Sequence, residues 1–262
     1  DPAIDPNRDD IPSDYFNPVA FTANNGTQSI TGVGFQPDFV WAKSRGNTYN
    51  NDLYDSVRGV GRFLGSNHNS QESVVANSLT SFDSDGFTLG ADSNANYGTA
   101  ASVSWNWKAG GAAVANTVGD IASQVSANTK AGFSIATYAG NGSASLTAVG
   151  HGLDATPEMY FIKSRGGSSS WVVYHKDIGN NILRLDTTDA VTYNSDYFAS
   201  NANRFTIYVS TNTAVNFSGG NYVAYCFHSV EGYSKIGSYT GNGSTDGLFV
   251  YTGFRPAYVM IK

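Results

Sequence analysis

The chain has 262 residues, of which only 14 % are charged; it carries 29 Gly, 16 Tyr and 15 Phe and a formal net charge of −6. Many turn formers, abundant aromatics and only three glutamates exclude a helical bundle and a charged disordered tail, and predict an all-β protein. The acidic balance, without a basic stripe, excludes a nucleic-acid binder; no run approaches the roughly 20 apolar residues of a membrane helix, so no membrane insertion is expected; and the single cysteine, Cys226, excludes an internal disulfide and a cysteine-based zinc site.

Residues 1–18 hold four prolines and five aspartates and read as an extended leader or linker, since proline fixes φ and removes a donor. They have neither the basic region nor the apolar core of a signal peptide. From there, strands are predicted over 29–33 and 38–43, with shorter ones at 53–57 and 73–76. Residues 81–89 read as a hairpin turning at Asp85-Gly86. Over 101–108 the chain alternates Val103, Trp105 and Trp107 with Ser102, Ser104 and Asn106, the clearest period of two. A connector rich in Ala, Gly, Ser and Asn follows and is read as extended. Further strands are predicted at 133–138, 145–148, 159–163, 171–175, 182–186, 204–209 and 221–228. Cys226, inside the last, is expected to be a buried, inert thiol.

These elements repeat. Pro37-Asp38-Phe39-Val40-Trp41-Ala42-Lys43-Ser44-Arg45-Gly46 returns as Pro157-Glu158-Met159-Tyr160-Phe161-Ile162-Lys163-Ser164-Arg165-Gly166 and begins again as Pro256-Ala257-Tyr258-Val259-Met260-Ile261-Lys262. Pro37 and Pro157, Tyr54 and Tyr174, and Trp105 and Tyr225 all stand 120 residues apart. An Asn-Gly block lies upstream of each proline, at Asn25-Gly26, Asn141-Gly142 and Asn242-Gly243. Self-similarity of this kind defines the unit. The predicted fold is tandem antiparallel β-sandwich repeats, jelly-roll or concanavalin-like. The organisation is a leader (1–18), repeat one (19–115), a connector (116–131), repeat two (132–236) and the start of a truncated third repeat (237–262), whose last strand is expected to lack partners. The alternating aromatics, Trp41, Trp105 and Trp107 in one unit and Phe161, Tyr225 and Phe227 in the other, are expected to form each unit's own core.

No catalytic, cofactor-binding or metal residues are predicted, and the chain reads as no enzyme. His68, His151, His175 and His228 are scattered and read as surface or loop residues. Asp83 and Asp85 resemble half of a calcium loop without its closing Glu, and read as hairpin-turn residues. Glu158 aligns with Asp38 directly after the recurring proline, which suits a structural acid better than a catalytic one. No Gly-x-Ser-x-Gly elbow or phosphate loop is present. Ligand or partner contact falls instead on Lys43, Arg45, Lys163 and Arg165, where two cations end a strand and could hold an acidic glycan or a partner's carboxylates. The reading preferred from the residues is that they neutralise nearby acids within the domain, such as Asp52 or Asp55. Tyr193 and Tyr197, with Tyr49, Tyr97 and Tyr208, sit among Asn, Ser and Thr, where exposed rings stack on sugars or proteins.

The phrases TQSITGVGFQPDFVWAKSRG, SLTSFDSDGFTLG and YVAYCFHSVEGYSKIGSYTGNGSTDGLFVYTGFRPAYVMIK resemble an uncharacterised tandem-repeat family of tailed-phage virion proteins, frequent in marine phages. The resemblance runs from Asp14 onward. It implies a fibre-like or surface-exposed virion protein, a location on the particle surface, a homo-oligomer, other virion proteins as partners and a host-surface glycan as a further one. The alternative is a carbohydrate-binding, lectin-like module of a bacterial surface adhesin or extracellular filament.

Overall fold

The computed structural model describes residues 11–143, 145–179, 181–193, 199–201, 203–207 and 214–262. The first unit is built from β1 (Phe16–Thr22), β2 (Gln28–Thr31), β3 (Phe39–Ser44), β4 (Asp52–Asp55), β5 (Arg62–Gly65), β6 (Ser73–Val74), β7 (Leu79–Asp83), β8 (Gly86–Leu89) and β9 (Ala101–Trp107). After β10 (Val114–Asn116) and β11 (Ser123–Asn128) the second unit comprises β12 (Phe133–Ala139), β13 (Thr147–Gly150), β14 (Met159–Ser164), β15 (Val172–His175), β16 (Asn181–Arg184), β17 (Thr192–Tyr193), β18 (Ala199–Ser200), β19 (Arg204–Ile207) and β20 (Asn221–Phe227).

Each unit is an antiparallel sandwich of a large and a small sheet, and the strand order is the same in both. The large sheets run β1-β9-β3-β4-β5-β6 and β12-β20-β14-β15-β16-β17; the small ones run β2-β8-β7 and β13-β19-β18. The duplication reaches single hydrogen bonds. The recurring Asn-Gly turn is pinned by a buried asparagine in each copy: Asn24 N–H donates to Asn96 Oδ1 (3.1 Å) and Asn141 N–H to Asn216 Oδ1 (2.9 Å). The acid after the recurring proline fastens the chain as it leaves the last strand. Asp38 accepts from Ala109 N–H (2.8 Å), and Glu158 accepts from Ser229 N–H (3.0 Å), the corresponding position. The Asp85-Gly86 hairpin is a structural turn: the Asp85 carboxylate accepts from Gly34 N–H (2.6 Å) and Gly32 N–H (3.1 Å). Gly86, at φ 148°, leaves no room for a Cβ, which would meet Ile30 O at 1.9 Å.

The core departs from the expectation. Alternation along β3 sends Val40 and Ala42 towards the small sheet, where with Tyr54, Ile30, Leu79, Phe87 and Leu89 they form the interior of unit one. In unit two, Tyr138, Tyr160, Ile162, Tyr222, Ala224 and Cys226 meet Val149 and Phe205. The aromatics expected to be those cores point the other way. Phe39, Trp41, Trp105 and Trp107 pack with Phe133, Phe161, Trp171, Tyr225 and Phe227 between the two large sheets. The molecule is therefore four layers deep, small–large–large–small, and all four tryptophans lie in the middle. Phe39 stacks on Tyr225 with ring centroids 4.4 Å apart. The polar face of β9 is the inward one: Ser102, Ser104 and Asn106 are fully buried, with Ser102 Oγ donating to Ala95 O (2.6 Å) and Asn106 Nδ2 to Asn17 O (2.8 Å).

Other boundaries shift as well. The expected leader contributes to β1, which begins at Phe16 and carries Pro18 opposite Trp105. An edge strand tolerates proline because its outward side has no ladder bond to lose. The connector supplies β10 and β11, with β11 paired along the outer edge of β12. His151 and His175 are buried rather than superficial: His151 bonds Asn201 O (2.9 Å) and accepts from Leu153 N–H (3.1 Å), and His175 accepts from Asp177 N–H (3.2 Å). Residues 239–262 form no strand. Phe249 and Tyr251 there are 89 % and 77 % exposed, whereas Tyr258 seats its ring against Phe16, Trp105 and Trp107 at 5.6–5.8 Å.

Because the tryptophans report the layer shared by both units, urea unfolding followed by tryptophan fluorescence and by far-ultraviolet circular dichroism should give coincident single transitions. Phe39→Ala should lower stability by about 3–5 kcal/mol in both readouts. Two separated transitions would mean that the units unfold independently.

Candidate functional site

The rim where β3 and β14 end carries the repeated Lys-Ser-Arg-Gly segment, and its two copies meet different fates. Lys163 is fully buried; its ammonium donates to Asn69 O (3.1 Å) and Ser169 O (2.8 Å). Burial lowers its pKa to about 8, with the Asp186 charge opposing the fall. Arg165 grips Glu72 through two bonds, Nε to Oε2 and Nη2 to Oε1, both 2.9 Å. Asn69 and Glu72 lie on the β5–β6 connection of unit one. Lys163 and Arg165 are thus engaged by the chain itself, the preferred of the two readings, rather than by a ligand. The acid Arg165 meets is Glu72, not Asp52 or Asp55.

Those two aspartates are held otherwise. Asp52 accepts from Ser93 Oγ (2.9 Å), Asn94 Nδ2 (2.8 Å) and Ala95 N–H (3.2 Å); burial raises its pKa, and these donors partly restrain the rise. Asp55 anchors a buried network. Arg58 Nε donates to Asp55 Oδ2, Arg58 Nη1 donates to Glu72 Oε2 (3.0 Å), and Tyr225 OH reaches across from unit two to Asp55 Oδ2 (2.7 Å). Burial alone would lower the Arg58 pKa, but the charges around it, Asp55 foremost, raise it, so it stays protonated. Burial by itself would raise the Glu72 pKa; the bonds from Arg165 and the charges of Arg58 and Arg165 outweigh it and hold the carboxyl below its ordinary value. Trp171 Nε1 donates to Gly65 O (2.8 Å), adding a further link between units. Apart from Arg165, which answers to Arg45, no member of this network is repeated at its 120-residue counterpart: Asp55 faces His175, Arg58 Ile178, Glu72 Thr192 and Tyr225 Trp105. Sequence reading missed it because its members are dispersed and only the packed sheets assemble them.

The first copy of the rim is open. Lys43 donates to Asn47 O (3.1 Å) and Tyr49 O (2.7 Å), bracing its own loop. Arg45 is exposed. Tyr49 and Tyr97, 38 % and 53 % exposed, meet edge to face at 5.0 Å between centroids. Tyr193 is 78 % exposed on β17, with no ring partner among the described residues, and Tyr197 and Tyr208 lie outside the described residues. Among the described residues no group of three or more His, Cys, Asp or Glu side chains is placed to hold a metal ion. Between the units Asn67, Leu185, Asp186, Thr187, Thr188 and Asp189 line an open depression of about 570 Å³. Asp186 is committed there to Trp171 N–H (2.9 Å) and Asp189 to Thr187 Oγ1 (2.8 Å).

Fold and rims together define an all-β protein made of two equivalent sandwiches fused through their large sheets. Residues 11–262 match a family described as a domain of unknown function (DUF7483), and the chain belongs to that family. No curated protein and no solved structure matches it.

Glu72→Ala should destabilise the chain by about 3–5 kcal/mol, because Arg58 and Arg165 lose a buried partner. With its folded pKa depressed, Glu72 contributes stability that is complete above about pH 4.3 and lost as pH falls through the folded value. Urea melts of wild type and Glu72→Gln should therefore differ at neutral pH, and the gap should narrow progressively as pH falls below about 4.3; an unchanged gap throughout would refute the assignment.

Proposed function

We propose that this chain is a non-catalytic structural module displayed on the surface of a tailed-phage virion, fibre-like in role and contributing to host attachment. One observation carries the reading: two copies of one sandwich are locked face to face by an aromatic layer and a buried ionic network. The product is a stiff body with loop-bearing rims, suited to spacing and presenting contacts. The resemblance of its long repeated phrases to phage virion proteins points the same way. Repetition of such bodies on a particle raises the effective concentration of weak contacts and converts them into firm adhesion. Other virion proteins are its neighbours, a host-surface glycan is the external partner, and a homo-oligomer, trimeric in a fibre, is the working form.

The second reading, a lectin-like module of a bacterial adhesin or filament, is favoured by the exposed Tyr49–Tyr97 pair. Immunogold electron microscopy with antibody against the purified chain separates the two. Gold should decorate the outside of intact phage particles. Label confined to bacterial surfaces would transfer the chain to an adhesin, and label seen only after particle disruption would refute surface display.

A further inference from the structure

The two rims act as an internal comparison. In unit two the arginine of the Lys-Ser-Arg-Gly segment shows what it binds: Arg165 holds a carboxylate through two parallel bonds of 2.9 Å. A fork of donors matched to two carboxylate oxygens is the strongest arrangement open to this side chain. Arg45 occupies the same place in unit one, is exposed, and its guanidinium makes no hydrogen bond or ion pair among the described residues. The loop that carries it is fixed. Lys43 ties Asn47 O and Tyr49 O together, Arg45 N–H donates to Ala101 O (2.8 Å), and Gly46 lies so close to Ala100 that a Cβ there would meet the Ala100 Cβ at 2.9 Å. The 97–101 connection on its other side brings Tyr97 against Tyr49. In unit two the corresponding positions are Ser169 and Phe217, and Ser169 N–H is bonded to Asn69 O (2.9 Å) of unit one. The open rim thus combines an unpaired arginine with an aromatic pair that the closed rim lacks.

We infer that the Arg45–Tyr49–Tyr97 rim binds a carboxylate-bearing sugar. Arg45 takes the carboxylate as Arg165 takes Glu72. The tyrosine rings cover the C–H face of the pyranose, and their hydroxyls meet its polar edge. A fixed loop adds to affinity by limiting the ordering cost of binding. The inference rests on the display reading, for which it names the class of external ligand.

Isothermal titration calorimetry of the purified chain tests it, with hexagalacturonate and sialyllactose as acidic probes and maltohexaose as the neutral one. At least one acidic probe should bind, more weakly as salt is added, and maltohexaose should not. Arg45→Ala and Tyr97→Ala should each reduce affinity about tenfold or more. Arg45→Lys should recover only part, since an ammonium cannot fork, and Tyr193→Ala should change nothing. Binding of neither acidic probe, equal binding of maltohexaose, or full affinity in Arg45→Ala would each overturn the inference. So would self-association in light scattering that Arg45→Ala abolishes without any sugar binding, which would assign the rim to a protein carboxylate. Immunogold labelling of particles does not depend on any of these results, so loss of the sugar site would leave the display reading standing.

Discussion

Everything in this molecule depends on the aromatic layer between the two large sheets. A sandwich of a large sheet and a three-stranded one can cover only one face of its larger member. The uncovered face of unit one presents Phe39, Trp41, Trp105 and Trp107, and that of unit two presents Phe133, Phe161, Tyr225 and Phe227. Apolar surface of that extent is not stable against water. Each unit supplies the other's missing cover, and burial of large rings is worth most where, as for Phe39 and Tyr225, they also stack. The unit of stability is accordingly the pair, although the unit of sequence is the single repeat.

Aromatic faces are adhesive but poorly selective, and two sheets could slide or turn against each other at small cost in area. The buried polar groups remove that freedom. Asp55, Arg58, Glu72, Arg165 and Tyr225 satisfy one another only in one relative placement of the units, and any other leaves charges buried without partners. Lys163 adds one backbone carbonyl of unit one, Asn69 O, and Trp171 a second, Gly65 O. None of these groups has a like counterpart 120 residues away except the two cations of the rim. The pairing is asymmetric by construction, which directs unit one to unit two and not to a second copy of itself.

Much of the fold was legible from the residues. Duplication, the all-β class, the Asp85-Gly86 hairpin and the strands at Phe39, Ala101, Phe133, Met159 and Asn221 follow from period and turn chemistry alone. What pattern could not supply was direction. Along β9, serines and an asparagine alternate with tryptophans, and hydropathy turns the tryptophans inward to their own unit. Both faces are in fact covered: Ser102 and Asn106 find backbone acceptors inside the sandwich, and the tryptophans find another sheet. Strand β1 was hidden by Pro18, whose harmlessness depends on its being at an edge, and β11 by a composition of small polar residues that only pairing with β12 makes into a strand. The site was half legible. Lys43, Arg45, Lys163 and Arg165 were visible as paired cations, but which pair faces solvent is decided by the β5–β6 connection, a tertiary fact.

That difference between the rims bears on how a duplicated fold divides its work. Identical copies would both keep their arginines paired, or both leave them open. Here the β5–β6 connection of unit one has acquired Asn69 and Glu72 and spends the second rim on cohesion, while Ser169 in place of Tyr49 leaves room for that connection to approach. Among the described residues the first rim has no such neighbour, and it keeps two partly exposed tyrosines and an exposed guanidinium. A partly buried bidentate pair gains strength because much of the water is kept from it; an exposed arginine gains that strength only when a ligand excludes the water instead. One strand ending is therefore a clasp where it is covered and, in the binding role proposed for Arg45, a receptor where it is not.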